Sequence, residues 1–134
     1  MTIHYAAVVV AAIAVMVLGS IWYSPVGFAR AWVELAGLKM DEIDKSAAMK
    51  GYLIAFLCNL VRAYVLAWLV VLSGASGLSG GLRLGAWIGL GIVATTMAPH
   101  YFFSQRPRKL YLIDAGHSVL AVILSTVILA MWVW

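Results

Sequence analysis

Four long apolar runs divide the chain, at about 3–23, 51–72, 82–103 and 110–132, and most polar residues gather in the stretches between them. Runs of about 20 residues are long enough to cross the hydrocarbon core of a bilayer as helices. Unpaired backbone amides are prohibitive in lipid, and these runs are too continuous in Gly, Ala and aliphatic residues for the alternation of barrel strands. The pattern therefore predicts an all-α membrane protein, one domain over 1–134, built as an antiparallel bundle of four transmembrane helices. No Lys or Arg precedes the first run, and the run exceeds the apolar core of a signal peptide, so it is read as a retained span.

The first connection has a pattern of its own. Ser24-Pro25 reads as a helix start and Gly37 as a stop. Between them Phe28, Trp32 and Leu35 fall at i, i+4 and i+7, opposite Arg30 and Glu34. That spacing predicts a short amphipathic helix at about 25–36 lying in the membrane interface, with Trp22, Tyr23, Phe28 and Trp32 as interfacial anchors. Residues 73–81, Ser-Gly-Ala-Ser-Gly-Leu-Ser-Gly-Gly, read as an uncharged flexible turn. The turn Ser104 to Lys109 is short enough to make the last two spans antiparallel neighbours.

Charge adds a direction. Arg30, Lys39, Lys45 and Lys50 lie in the first connection and Arg106, Arg108 and Lys109 in the third, while Arg83 alone stands toward the other side. The positive-inside rule then puts both basic connections in the cytoplasm and both termini outside it. Glu34, Asp41, Glu42 and Asp44 offset the first connection, but acids weigh little in that rule. Composition agrees with a membrane class: 65% of residues are hydrophobic and 10% charged. The net charge of +4 is accounted for by topology, with no basic stripe for nucleic acid. A single cysteine, Cys58, excludes an intrachain disulfide.

Polar residues inside the spans are the candidates for chemistry, because they are expensive in lipid. Asn59 and Arg62 share one helical face; Asp114, His117 and Ser118, at i, i+3 and i+4, share another. In the third run His100 lies at about the depth of Asp114 and His117, and Thr96 deeper, with Asn59 and Arg62. Asp114 is the sole acid outside the first connection, which makes it the natural partner for Arg62 or for the basic turn just before it. One reading is a polar site open to the cytoplasm, where Arg62 attracts an anionic group and Asp114 and His117 handle a proton. The other is an interhelical hydrogen-bond network that holds the bundle together. His100, Asp114 and His117 lack the spacing of a metal motif, and nothing specifies a cofactor, so neither is expected. Gly81, Gly85 and Gly89 form a close-packing face for helices, serving either the bundle or a homo-oligomer seam, and Pro99 predicts a kink.

The first run ends Gly19-Ser20-Ile21-Trp22-Tyr23-Ser24-Pro25, then Gly27-Phe28 and Trp32; a second stretch runs from Phe102-Phe103-Ser104-Gln105-Arg106-Pro107 to Leu112-Ile113-Asp114-Ala115-Gly116-His117. These resemble the small bacterial membrane proteins grouped as domain of unknown function 1761, with its G-x-x-W-Y-S-P and F-x-x-R-P…I-[ND]-A-G-[YH] stretches. The resemblance implies a four-helix domain in a bacterial inner (cytoplasmic) membrane and brings no assigned activity. Small multidrug exporters need a carboxylate in the first span, which this chain lacks. Membrane enzymes of glutathione metabolism use Arg and Asn as Asn59 and Arg62 loosely do, but their acid in the second span is missing. The leading expectation is a homo-oligomeric binder or translocator of a small polar solute. The alternative is a non-catalytic accessory subunit of a larger membrane complex, with a membrane-bound enzyme third.

Overall fold

The computed structural model of the chain describes residues 2–39 and 44–132; Asp41 and Glu42 of the first connection lie outside them. Helix α1 spans Tyr5–Trp22, α2 Ala29–Leu35, α3 Lys45–Ser73 and α4 Gly77–Ile88. A π-helical stretch, Gly89–Ala94, then leads without a break into α5, Thr95–Phe103, and α6 spans Arg108–Met131. Because α4, the π-stretch and α5 form one rod, Gly77–Phe103, four helices are long and apolar enough to cross a membrane, and the chain is an all-α membrane protein.

The last helix is the centre of the bundle. α6 packs against α1, α3 and α4, and 44% of its apolar stretch is buried, against 17% for the Gly77–Phe103 rod at the periphery. Small residues allow this close approach: Ala7 and Ala11 of α1, Ala63 and Ala67 of α3 and Ala130 of α6 are all buried in one apolar cluster. The cluster joins the start of α1 to the ends of α3 and α6, which fixes α1 antiparallel to both. Within it the void beside Ile3, Ala7, Val70 and Leu129 is only about 10 Å³, room for no more than one water, while an open cleft of about 370 Å³ lies at its edge between Thr2, His4, Val70, Gly74 and Ser76.

Gly81, Gly85 and Gly89 lie along α6. A Cβ on Gly81 would stand 2.6 Å from Cα of Val127, one on Gly85 2.7 Å from Cα of Ile123, and one on Gly89 3.1 Å from the side chain of Val119. The Thr126 hydroxyl donates to the Gly81 carbonyl at 2.8 Å, a bond between the same two helices.

Three element boundaries differ from the sequence reading. α3 begins at Lys45 rather than near 51, where the Asp44 side chain accepts the Ser46 N–H at 3.0 Å and caps the helix. At 29 residues, or about 43 Å at 1.5 Å per residue, α3 outruns the hydrocarbon and carries Lys45 and Lys50 beyond it. The turn expected over 73–81 shrinks to Gly74–Ser76, because Gly74 at φ 68° closes α3, α4 begins at Gly77, and Gly81 is already helical against α6. The helix expected at 25–36 starts only at Ala29. Its first residues are drawn into turns by the end of α1: the Phe28 N–H donates to the Trp22 carbonyl at 2.8 Å and the Ser24 hydroxyl to that of Ile21 at 2.7 Å. Gly37, at φ 73°, does end α2, with the Leu38 N–H returning to the Val33 carbonyl at 3.0 Å.

In the peripheral rod, Pro99 sits inside a helix whose preceding turns are π-helical. Proline brings no N–H to the carbonyls of the turn before it. The carbonyl that loses its donor is that of Thr95, four residues back, and beside it the Ala94 carbonyl at the end of the π-stretch accepts the Tyr111 hydroxyl of α6 at 2.8 Å.

Candidate functional site

At the basic-loop end of the bundle the two stretches that carry the family resemblance come together. The Trp22 indole N–H donates to the Ile113 carbonyl at 3.0 Å. Gly116 makes room for that ring, as a Cβ there would be 3.2 Å from it. Gly19 does the same for His117: a Cβ on Gly19 would stand 3.3 Å from His117 Nε2, and the imidazole lies 5.2 Å from the Tyr23 ring and 6.3 Å from that of Trp22, centre to centre. One small residue on each helix thus lets a large partner from the other reach the axis of the bundle.

Asp114 is the hub of this junction. Its Oδ1 accepts the Tyr23 hydroxyl at 2.7 Å and the Trp32 indole N–H at 3.0 Å, and its Oδ2 accepts the Tyr101 hydroxyl at 2.5 Å. The donors come from the residue after α1, from α2 and from α5, so one side chain of α6 ties three other elements together. Tyr23 stays a neutral phenol: burial first, then the hydrogen bond and charge of Asp114, then Tyr101, push its hydroxyl well above the usual phenol range.

Next to this hub, Arg62 donates to Asn59 Oδ1 one turn away on α3. Arg62 acts electrostatically on His117, while the buried Arg62 Nε and His117 Nε2 find no hydrogen-bond partner among the described residues. Two open clefts flank these groups. An inner cleft of about 410 Å³ is lined by Gly19, Ser20 and Tyr23, by Tyr52 and Asn59 of α3, and by His117. An outer cleft of about 530 Å³ is lined by Tyr23, Pro25, Ala29, Trp32, Tyr52 and Asp114. Tyr23 and Tyr52 border both, so the clefts adjoin.

Several residues stand differently from their sequence reading. Asp114 pairs with three neutral donors rather than with Arg62, whose described hydrogen bond goes to Asn59. Thr96 and His100 are exposed on α5 and line neither cleft. The π-stretch sets the phase of the helix beyond it, and Tyr101, not its neighbour His100, turns toward α6. Ser118 is half-buried on α6 without lining either cleft. Trp22, Tyr23 and Trp32 are half-buried and donate to α6, and Phe28 is exposed, its ring 4.8 Å from that of Trp22. No group of three His, Cys, Asp or Glu able to hold a metal occurs among the described residues.

Tyr52 and Tyr101 were not singled out by the sequence. The signal that would have found Tyr101 is its depth: it is a hydroxyl-bearing aromatic at the level of the one acid within the spans, and that acid needs donors. Tyr52 carries no such mark, since an aromatic near the end of an apolar run reads as interfacial.

No curated protein matches the chain, and no solved structure does. A family model described as "Protein of unknown function (DUF1761)" matches residues 6–130, from the start of α1 almost to the end of α6 and across both motif stretches that build the junction; the chain belongs to that family.

Proposed function

We propose that the protein binds a small molecule in the paired clefts at the basic-loop end of the bundle, reached from the cytoplasm, with both termini outside. The observation that carries this reading is the contrast between the two halves of the molecule. One half holds adjoining clefts of about 410 and 530 Å³ whose walls converge on Asp114, His117 and Asn59, dimensions and polarity typical of ligand sites. The other half is built around an apolar cluster of Ala7, Ala11, Ala63 and Val70, and the cleft of about 370 Å³ above it is bordered by Thr2, His4, Val70, Gly74 and Ser76, with none of the spans' ionisable residues in its wall. A blind cleft suits a binding protein better than an open pore, and carrying a solute across would require the apolar half to part.

Accessibility tests this. With Cys58→Ser as background, Ser20→Cys in the inner cleft should react with a charged thiosulfonate reagent applied from the cytoplasmic face. Val122→Cys in the buried apolar cluster should react from neither face. A Ser20→Cys protein inert from both sides, or a reactive Val122→Cys, would remove the reading.

A second reading has its own observation. The outward face of the Gly77–Phe103 rod carries a groove of about 430 Å³ bordered by Arg83, Ala86, Trp87, Leu90 and Gly91. Such a face suits a homo-oligomer seam or docking on a larger membrane complex. Co-purification at fixed stoichiometry with another membrane protein, lost on Trp87→Ala, would favour it.

A further inference from the structure

Resting on the cleft reading above, we infer that the outer cleft accepts an organic ammonium group, a positively charged amine or quaternary ammonium head, held between the rings of Tyr23, Trp32 and Tyr52 and the carboxylate of Asp114. The balance of charge points this way. Asp114 lies within a span, all three of its hydrogen bonds come from neutral donors, and no basic side chain forms an ion pair with it among the described residues. A carboxylate placed in a membrane span calls for a positive partner. The walls supply the rest: three aromatic side chains line the same cleft, and ring faces attract ammonium groups.

The neighbouring cations fix the position of the bound charge. Arg106 stands over the ring of Tyr101, 5.7 Å from its centre, and so touches the hub through Tyr101 rather than directly. Arg62 is held on Asn59 at the inner cleft and acts on His117. Its guanidinium disfavours a second cation there. An ammonium head therefore belongs in the outer cleft, and the remainder of the ligand can extend past Tyr23 and Tyr52 into the inner one. A free amine and the headgroup of an aminophospholipid share this chemistry.

Binding of benzyltrimethylammonium to the protein in bilayer nanodiscs, followed by calorimetry, tests the inference against two probes of similar shape: the neutral carbon analogue neopentylbenzene and the anion benzenesulfonate. The cation should bind, with the other two at least roughly tenfold weaker. Asp114→Asn should weaken the cation by roughly tenfold or more. Because that variant also disturbs the hub, Tyr52→Ala gives a second measure. Tyr52 is exposed and outside the hydrogen-bonded lattice, and its removal should weaken the cation by roughly threefold to tenfold with folding unchanged. Failure of the cation to bind, or equal binding by the neutral analogue, overturns the ammonium inference. If Ser20→Cys still reacts in that case, the cleft reading stands without it. Comparing bilayers of phosphatidylglycerol alone with bilayers half phosphatidylethanolamine separates the sources. Competition by the second lipid assigns the site to a headgroup and its absence to a free amine, and both results uphold the ammonium site.

Discussion

Asp114 receives donors from three elements, and Trp32 is the one that can be silenced with least collateral change. Trp32→Phe keeps an aromatic ring against Tyr23, now 5.9 Å away and edge-on, and removes only the N–H that reaches Oδ1. Hydrogen bonds between membrane helices are worth on average about 0.6 kcal/mol and up to about 1.7, so the variant should lose roughly 1 kcal/mol in reversible unfolding in mixed detergent. A double-mutant cycle with Tyr23→Phe should show coupling, because both groups share one oxygen of Asp114. Additive effects would mean that the hub is not a unit. At this scale the acceptors were legible and the donors were not. A carboxylate, an imidazole or an amide inside an apolar run has no cheap reason to be there, so Asp114, His117 and Asn59 stand out. Trp and Tyr at the ends of spans have an equally good reason to face the interface. Sequence therefore reads Trp22, Tyr23 and Trp32 as interfacial anchors, and nothing in it shows that their N–H and O–H groups turn inward.

The seam between α4 and α6 shows what element packing asks of individual glycines. Gly81→Ala places a methyl 2.6 Å from the backbone of Val127, which a side-chain rotation cannot relieve. The helices must separate, and a loss of about 1–3 kcal/mol is expected. Gly91→Ala on the same rod meets nothing within 4 Å and should be neutral in the same unfolding assay. Equal effects from both would refute the seam. Tyr111→Phe tests the other tie to this rod by leaving the Ala94 carbonyl without its hydroxyl donor, and should cost roughly 1 kcal/mol. The four-residue glycine spacing was readable because it repeats at the helical period, but which neighbour it meets depends on how the rods are arranged. Hydropathy also misplaced the ends of α2 and α4. Those ends are decided by backbone bonds to the previous helix, as Phe28 makes to Trp22, or by close packing, as at Gly81, and neither leaves an apolar signature.

For the whole molecule, the antiparallel order places residues 76 and 104 at opposite ends of one 27-residue rod, about 40 Å apart at 1.5 Å per residue. The clefts belong to the end carrying residue 104, since Tyr101 on the same last turns of α5 reaches Asp114. Which compartment supplies the ligand is therefore the same question as which end faces the cytoplasm. The basic residues argue that it is the cleft end: Arg30, Lys39, Lys45 and Lys50 precede or begin α3, and Arg106, Arg108 and Lys109 join α5 to α6, whereas Arg83 is alone at the other end. In intact cells with Cys58→Ser as background, an impermeant maleimide should label Ser76→Cys, and should label Ser104→Cys only after the membrane is opened. Both positions are exposed on turns, so failure to label reports the compartment rather than burial. The opposite pattern would turn the clefts to the outside and make the bound molecule an external one. The half built on the apolar cluster would then face the cytoplasm, and the protein would be better suited to capturing a ligand from the surroundings than to holding one from within.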